Sequence, residues 1–127
     1  MLKRDGEPTL IGCPGCAGVL TTMMDGQEDF VRYVCTVGHS FSTPALIEAK
    51  EQQFEHGMWA VISMLAHLDM AYSDLLEQCQ AGLANAPRGA MNARIQQVRG
   101  YARALREMVE QDRPPALESA EDERETA

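Results

Sequence analysis

The sequence predicts an α+β fold that is mainly α: a small N-terminal β-hairpin built around a set of metal ligands, then a long antiparallel helical hairpin. Three observations predict it. Two close pairs of ligand-type residues, Cys13 with Cys16 and Cys35 with His39, flank a short segment of β character. Beyond residue 43 apolar residues recur at alternating spacings of three and four, the signature of a helix seam. Hydrophobic residues make up 45% of the 127-residue chain but aromatics only 6%, so the core rests on Leu, Ile, Val, Met and Ala, a mix that favours helices. Residues 1–42 form the first module, 43–112 the helical hairpin and 113–127 an acidic tail.

In the first module, Pro14, Gly15, Gly18, Asp25-Gly26 and Gly38 punctuate two runs, 18–24 and 29–35, that each read as a strand, with Asp25-Gly26 as the hairpin signal. A lone two-stranded hairpin is too small to stay folded in water. The pattern changes at Ser42-Thr43-Pro44, where a hydroxyl residue before a proline marks a helix start. From there to about Gln80 the heptad seam Phe54, Met58, Val61, Leu65, Leu68, Tyr72, Leu75, Cys79 runs unbroken. A helix of that span is about 55 Å long and needs a partner along its seam.

Gly82, Asn85 and Pro87 break the helix. Met91, Ile95, Val98, Ala102, Leu105 and Val109 then repeat the spacing until Pro114-Pro115. The short loop predicts antiparallel packing, and so does charge. The first helix carries Glu48, Glu51, Glu55, Asp69, Asp74 and Glu77, the second Arg88, Arg94, Arg99, Arg103 and Arg106. The second helix is shorter, which leaves the turns around Ile47 to Phe54 uncovered, and the first module is expected to pack there. Trp59 and Ile62 widen the seam to a second apolar stripe that could seat the first module, cover the core or face another chain. Each helix of a hairpin has only one partner, so a contact surface is left over that a homodimer, closing a four-helix bundle, would fill. The tail, with Glu118, Glu121, Asp122, Glu123 and Glu125, is too poor in apolar residues to fold and reads as disordered.

Net charge is −8, which disfavours binding to phosphate backbones or anionic lipid. The N-terminus, with Lys3, Arg4, Asp5 and Glu7, has no apolar export segment, and no run of about 18 apolar residues occurs. The reading is cytoplasmic, without a membrane partner.

The cysteines could pair as disulfides, as in small secreted chains. Their spacing argues for metal instead. Cys13-Pro14-Gly15-Cys16 and Cys35-Thr36-Val37-Gly38-His39 are separated by residues 17–34, within the interval of about 15 to 20 residues of a zinc ribbon. Gly15, Gly18 and Gly38 stand where tight turns must bring donors to about 2.0–2.3 Å of a tetrahedral ion. The expectation is one structural Zn2+ per chain on Cys13, Cys16, Cys35 and His39. A Cys3His set leaves no open coordination position for Lewis-acid chemistry, so no catalytic residue is assigned. His56 and His67 lie about 16 Å apart along a helix and cannot share a metal. Cys79 reads as a small core residue. Arg99, Arg103 and Arg106 share a helical face that the acidic first helix can satisfy without an anionic ligand.

The strings Cys13-Pro14-Gly15-Cys16-Ala17-Gly18-Val19-Leu20, Phe30 through Arg32 to Cys35, and Val37-Gly38-His39-Ser40-Phe41-Ser42 leading into a helix resemble the zinc ribbon and helical C-terminal extension of some bacterial chemotaxis-type protein-glutamate methylesterases (CheB-like proteins). The likeness covers roughly residues 10–80; Thr43 is an extra residue before the proline. Nothing here corresponds to that family's catalytic serine, histidine and aspartate, so no activity is carried over. The resemblance implies a bacterial cytoplasmic setting and a role in sensory or chemotaxis-like signalling.

The functional expectation is a non-catalytic, zinc-stapled module that binds another protein, with a homodimer as one form of that binding. Two rivals are a nucleic-acid-binding ribbon in transcription and a thiol-based redox switch. The first must contend with residues 1–42 holding only Lys3, Arg4 and Arg32 against Asp5, Glu7, Asp25, Glu28 and Asp29.

Overall fold

A computed structural model of the chain describes residues 6–25 and 30–117. The Gly26 side of the expected turn and the acidic tail from Glu118 onward lie outside these residues. The described chain forms an antiparallel sheet of four strands, β1 (Pro8–Gly12), β2 (Val19–Asp25), β3 (Phe30–Val34) and β4 (Ser40–Ser42), followed by α1 (Thr43–Gln80) and α2 (Arg88–Gln111). The fold is therefore α+β and mainly α. Strand order follows the chain, β1-β2-β3-β4. β2 and β3 match the two expected strands, with Thr21 opposite Val34 and Asp25 opposite Phe30.

The outer strands β1 and β4 are additions to the expectation. β1 opens on Pro8, tolerable because an edge strand can do without one donor, and its pairing with β2 shifts register between Pro8 and Gly12. Alternation along the strands sends one face inward. Leu20, Tyr33 and Cys35 are buried there with Cys13 and Leu46, flanked by Ile11, Val31 and Phe41. The hydroxyls buried beside them are satisfied: Thr9 Oγ1 donates to the Leu20 carbonyl at 2.8 Å and Thr22 Oγ1 to the Glu7 carbonyl at 3.0 Å.

Ser42, one residue before the expected cap, caps α1. Its Oγ accepts the Ala45 N–H at 3.1 Å, which makes Thr43 and Pro44 the first two helical residues. The chain divides into two compact units, one of residues 1–53 and 114–127, the other of residues 54–113. The opening turns of α1 thus belong with the sheet. Leu46 enters the sheet's core and Gln53 Nε2 donates to the Pro14 carbonyl at 3.2 Å. The sheet was expected on the turns around Ile47 to Phe54, and it does pack there through Leu46 and Gln53, while the side chains of Ile47 and Phe54 themselves remain exposed. The anchor is Leu46, because it and Gln53, seven residues on, share a helix face that Ile47 does not.

In the second unit, α1 ends in a Schellman turn. Gly82 sits at φ +75, its N–H donates to the Cys79 carbonyl at 3.2 Å, and the Leu83 N–H reaches the Gln78 carbonyl at 2.9 Å. α2 returns antiparallel: Arg99 meets Asp69 while the later Arg106 lies over the earlier Trp59. The seam of α2 is placed as expected, with Met91, Ile95 and Val98 buried. That of α1 is rotated. The buried residue is Ile62, from the second stripe, whereas Phe54, Val61 and Leu68 of the main seam stay exposed. No described helix is long and apolar enough to cross a membrane.

Candidate metal centre

Two turns present the four candidate ligands. In the first, the Cys13 N–H donates to the Gly18 carbonyl at 2.6 Å and the Ala17 N–H to the Cys13 carbonyl at 2.8 Å, closing the chain so that Cys13 and Cys16 point the same way. In the second, the Cys35 N–H donates to the His39 carbonyl at 3.0 Å and the Gly38 N–H to the Cys35 carbonyl at 3.1 Å. β2 pairs antiparallel with both β1 and β3, so β1 and β3 end at the same edge of the sheet, where Cys13 directly follows β1 and Cys35 directly follows β3.

The donor atoms of Cys13, Cys16, Cys35 and His39 all lie within 4.8 Å of one another, the one group of three or more such donors among the described residues. The histidine turns Nδ1 inward, 3.2 Å from Cys35 Sγ and 3.6 Å from Cys13 Sγ. A tetrahedral ion with metal–sulfur bonds of about 2.3 Å and metal–nitrogen bonds of about 2.0–2.1 Å has sulfur–nitrogen edges of about 3.5 Å, so the two sulfur–nitrogen distances match such an ion. Cys13 and Cys35 are buried, and Cys16 and His39 are exposed.

Two backbone N–H groups support the buried sulfurs: Gly15 N–H to Cys13 Sγ at 3.4 Å and His39 N–H to Cys35 Sγ at 3.3 Å. Such donors favour thiolate over thiol. At Cys35 burial pushes the thiol's pKa up, but the N–H groups of His39 and Val37, with the His39 and Cys16 side chains, outweigh it and bring the value down to about 6. Cys16 goes the other way: the Gly18 backbone lowers its pKa, yet burial and the neighbouring Cys35 and Cys13 raise it further. A bound metal would supply the positive charge that offsets thiolates gathered this closely.

Two glycines are required for definite reasons. A Cβ on Gly15 would stand 3.2 Å from Cε1 and Nε2 of His39, so the imidazole occupies the place of a side chain. Gly38, just before the histidine, sits at φ +109, where side chains are strained. Ala17 also takes a left-handed conformation, at φ 62. Its residue type gave no sign of this; only the ligand turn requires it. The Gln53 amide bracing Pro14 is a further contact that no motif announces.

The remaining candidates fall elsewhere. His56, His67 and Arg103 are exposed on the helices, Cys79 is half-buried and unpaired, and Arg99 is occupied by Asp69. A pocket of about 270 Å³ lined by Ile47, Glu48, Glu51, Pro114, Pro115, Ala116 and Leu117 shares no residue with the cluster. Comparison with protein-family models, with curated proteins and with solved structures gave no match.

Proposed function

We propose that the chain is a non-catalytic zinc-binding module that acts by holding protein surfaces together. The observation that carries this reading is the closed donor set: three sulfurs and one Nδ1 from two turns surround a single point. Four protein ligands complete the tetrahedron that structural zinc prefers, with no position left for a substrate or activated water. Zinc is favoured over softer or redox-active ions by the mixed thiolate–imidazole set in four-coordinate geometry. When bound, the metal supplies folding energy. The chain's own residues position the donors, shield Cys13 and Cys35 and donate N–H bonds to their sulfurs. The resemblance to the helical zinc-ribbon extension of chemotaxis-type methylesterases supports a place in bacterial sensory signalling.

The test is elemental analysis of protein purified without added zinc, paired with thiol titration. One zinc per chain is expected, with Cys79 the sole thiol that reacts until the metal is stripped. A metal-free chain that is fully folded, with all four thiols reactive, would overturn the proposal.

A further inference from the structure

The helical unit buries little. Ile62 of α1 and Met91, Ile95 and Val98 of α2 are its fully buried side chains, a thin seam for two helices of this length, since helices draw most of their stability from packing. Apolar surface remains uncovered, and its distribution decides what covers it.

Trp59 with Arg106, and Asp69 with Arg99, close one side of the hairpin. At about 100° per residue, the residues roughly a quarter-turn beyond the buried line on the other side are Phe54, Val61 and Leu68 on α1 and Tyr101 and Met108 on α2, with Met64 farther round on the same side. The helices are antiparallel and right-handed, so both rows fall on the same side. Phe54, Val61 and Leu68 recur every seven residues, the repeat of helix-on-helix packing.

These six side chains leave between 39% and 58% of their surface exposed. Together that is on the order of 600 Å², at the upper end of what single folded chains expose in one patch. With the small residues between them it approaches the roughly 800 Å² per partner of a standard protein interface.

We infer that this side is the interface of a two-fold homodimer in which two hairpins close a four-helix bundle. Charge argues for a second copy as occupant. The chain carries a net charge of −8, so copies repel one another unless they meet through a face free of acids. By helix position this side carries only Arg94, whose guanidinium lies 5.9 Å from the centroid of the Tyr101 ring. The acids of α1 in this unit sit toward α2 or on the opposite side, with Asp69 already held by Arg99. An apolar face of heptad rows that is free of acids can pair with its own copy, as two-fold symmetry demands. Its rows, Phe54 to Leu68 on α1 and Tyr101 to Met108 on α2, lie beside each other along the same stretch of the hairpin, so a second hairpin can cover both at once.

Light scattering behind size exclusion on the full chain at tens of micromolar tests this. Wild type should be a dimer, and its melting midpoint, followed by helix ellipticity, should rise with protein concentration. The double variant Val61→Glu/Leu68→Glu should dimerise more than about a hundredfold more weakly. Met70→Glu replaces a still more exposed apolar residue on the opposite side and should leave the dimer unchanged. A wild-type monomer with a concentration-independent midpoint overturns the inference and gives the face to a different protein. So does a dimer that survives the double variant or is lost in Met70→Glu. Should the double variant fail to fold, the concentration dependence of the wild type decides alone.

Discussion

The sheet unit and the helical unit solve the same problem, too little core, by opposite means. The sheet unit buries five side chains in one cluster, Cys13, Leu20, Tyr33, Cys35 and Leu46. Two of the five are candidate ligands, so its core and its metal centre are one object. The helical unit buries four aliphatic side chains and holds no ligand cluster, and its deficit is a bare apolar side. A few strands can be closed by a cation because donors converge at a point. A helix pair exposes a line, and only another helical surface can cover a line.

The sharpest way to break this comparison is to remove the metal. Structural zinc contributes on the order of 10 kcal/mol, more than the sheet unit's small cluster can replace. A strong chelator should abolish the protected amides of β2 and β3 and the chain order around Leu20. Helix ellipticity from residues 54–80 and 88–111 should largely persist. Hydrogen exchange resolved by residue reads both at once. If the sheet keeps its protection, or if both units melt at the same chelator concentration, the division of labour is wrong.

How much of this was legible in the sequence follows the same division. The ligand set could be read because coordination demands particular residue types at particular spacings, and all four residues named from spacing come together within 4.8 Å. β2 and β3 could be read from their β character and from the turn residues that bound them. β1 and β4 could not: β4 has only three residues, and the pairing of β1 shifts register, so both depend on backbone pairing that sequence patterns hardly register. On α1 the periodicity was plain but ambiguous. Two apolar stripes lie side by side, each compatible with a seam, and packing chose Ile62 over Val61 and Leu68. The cap was similarly ambiguous, since Ser42 and Thr43 both offer hydroxyls and only the Ala45 N–H selects Ser42.

A smaller effect sharpens the comparison by making one substitution at two places. Gly15→Ala inserts a Cβ at 3.2 Å from a ring that is itself a ligand. The imidazole must shift by a few tenths of an ångström, and zinc affinity should fall on the order of tenfold, as for other disturbances just outside a coordination sphere. Competition with a chromophoric chelator measures it. Gly100→Ala, in α2 with nothing within 4 Å of the new methyl, should instead stabilise the helical unit by up to about 1 kcal/mol, because alanine gives up less backbone freedom than glycine. Equal effects of one sign at both positions would mean that Gly15 is there for chain flexibility and not for the histidine.

The smallest effect concerns the ion pair between the helices, Arg99 Nε to Asp69 Oδ2 at 2.7 Å and Nη2 to Oδ1 at 3.0 Å. The Arg99 guanidinium holds the Asp69 carboxyl below its usual range against some opposing burial, and Ser73 adds a weaker hydrogen bond. Because the folded carboxyl has the lower pKa, its contribution is complete above the unfolded value of about 3.9. It disappears as pH falls through the lower, folded value. Arg99 is half exposed, so solvent screens the pair and the gain is modest. The melting midpoint of the helical unit in Asp69→Asn should therefore lie slightly and constantly below wild type from pH 5 to 7, and the two should converge as pH drops below 4. Taking the difference between variants cancels the loss of metal that acid also causes. If the gap persists in acid, Asp69 acts through its shape and hydrogen bonds and not its charge, and the helical unit then owes nothing to electrostatics that its apolar faces do not already provide.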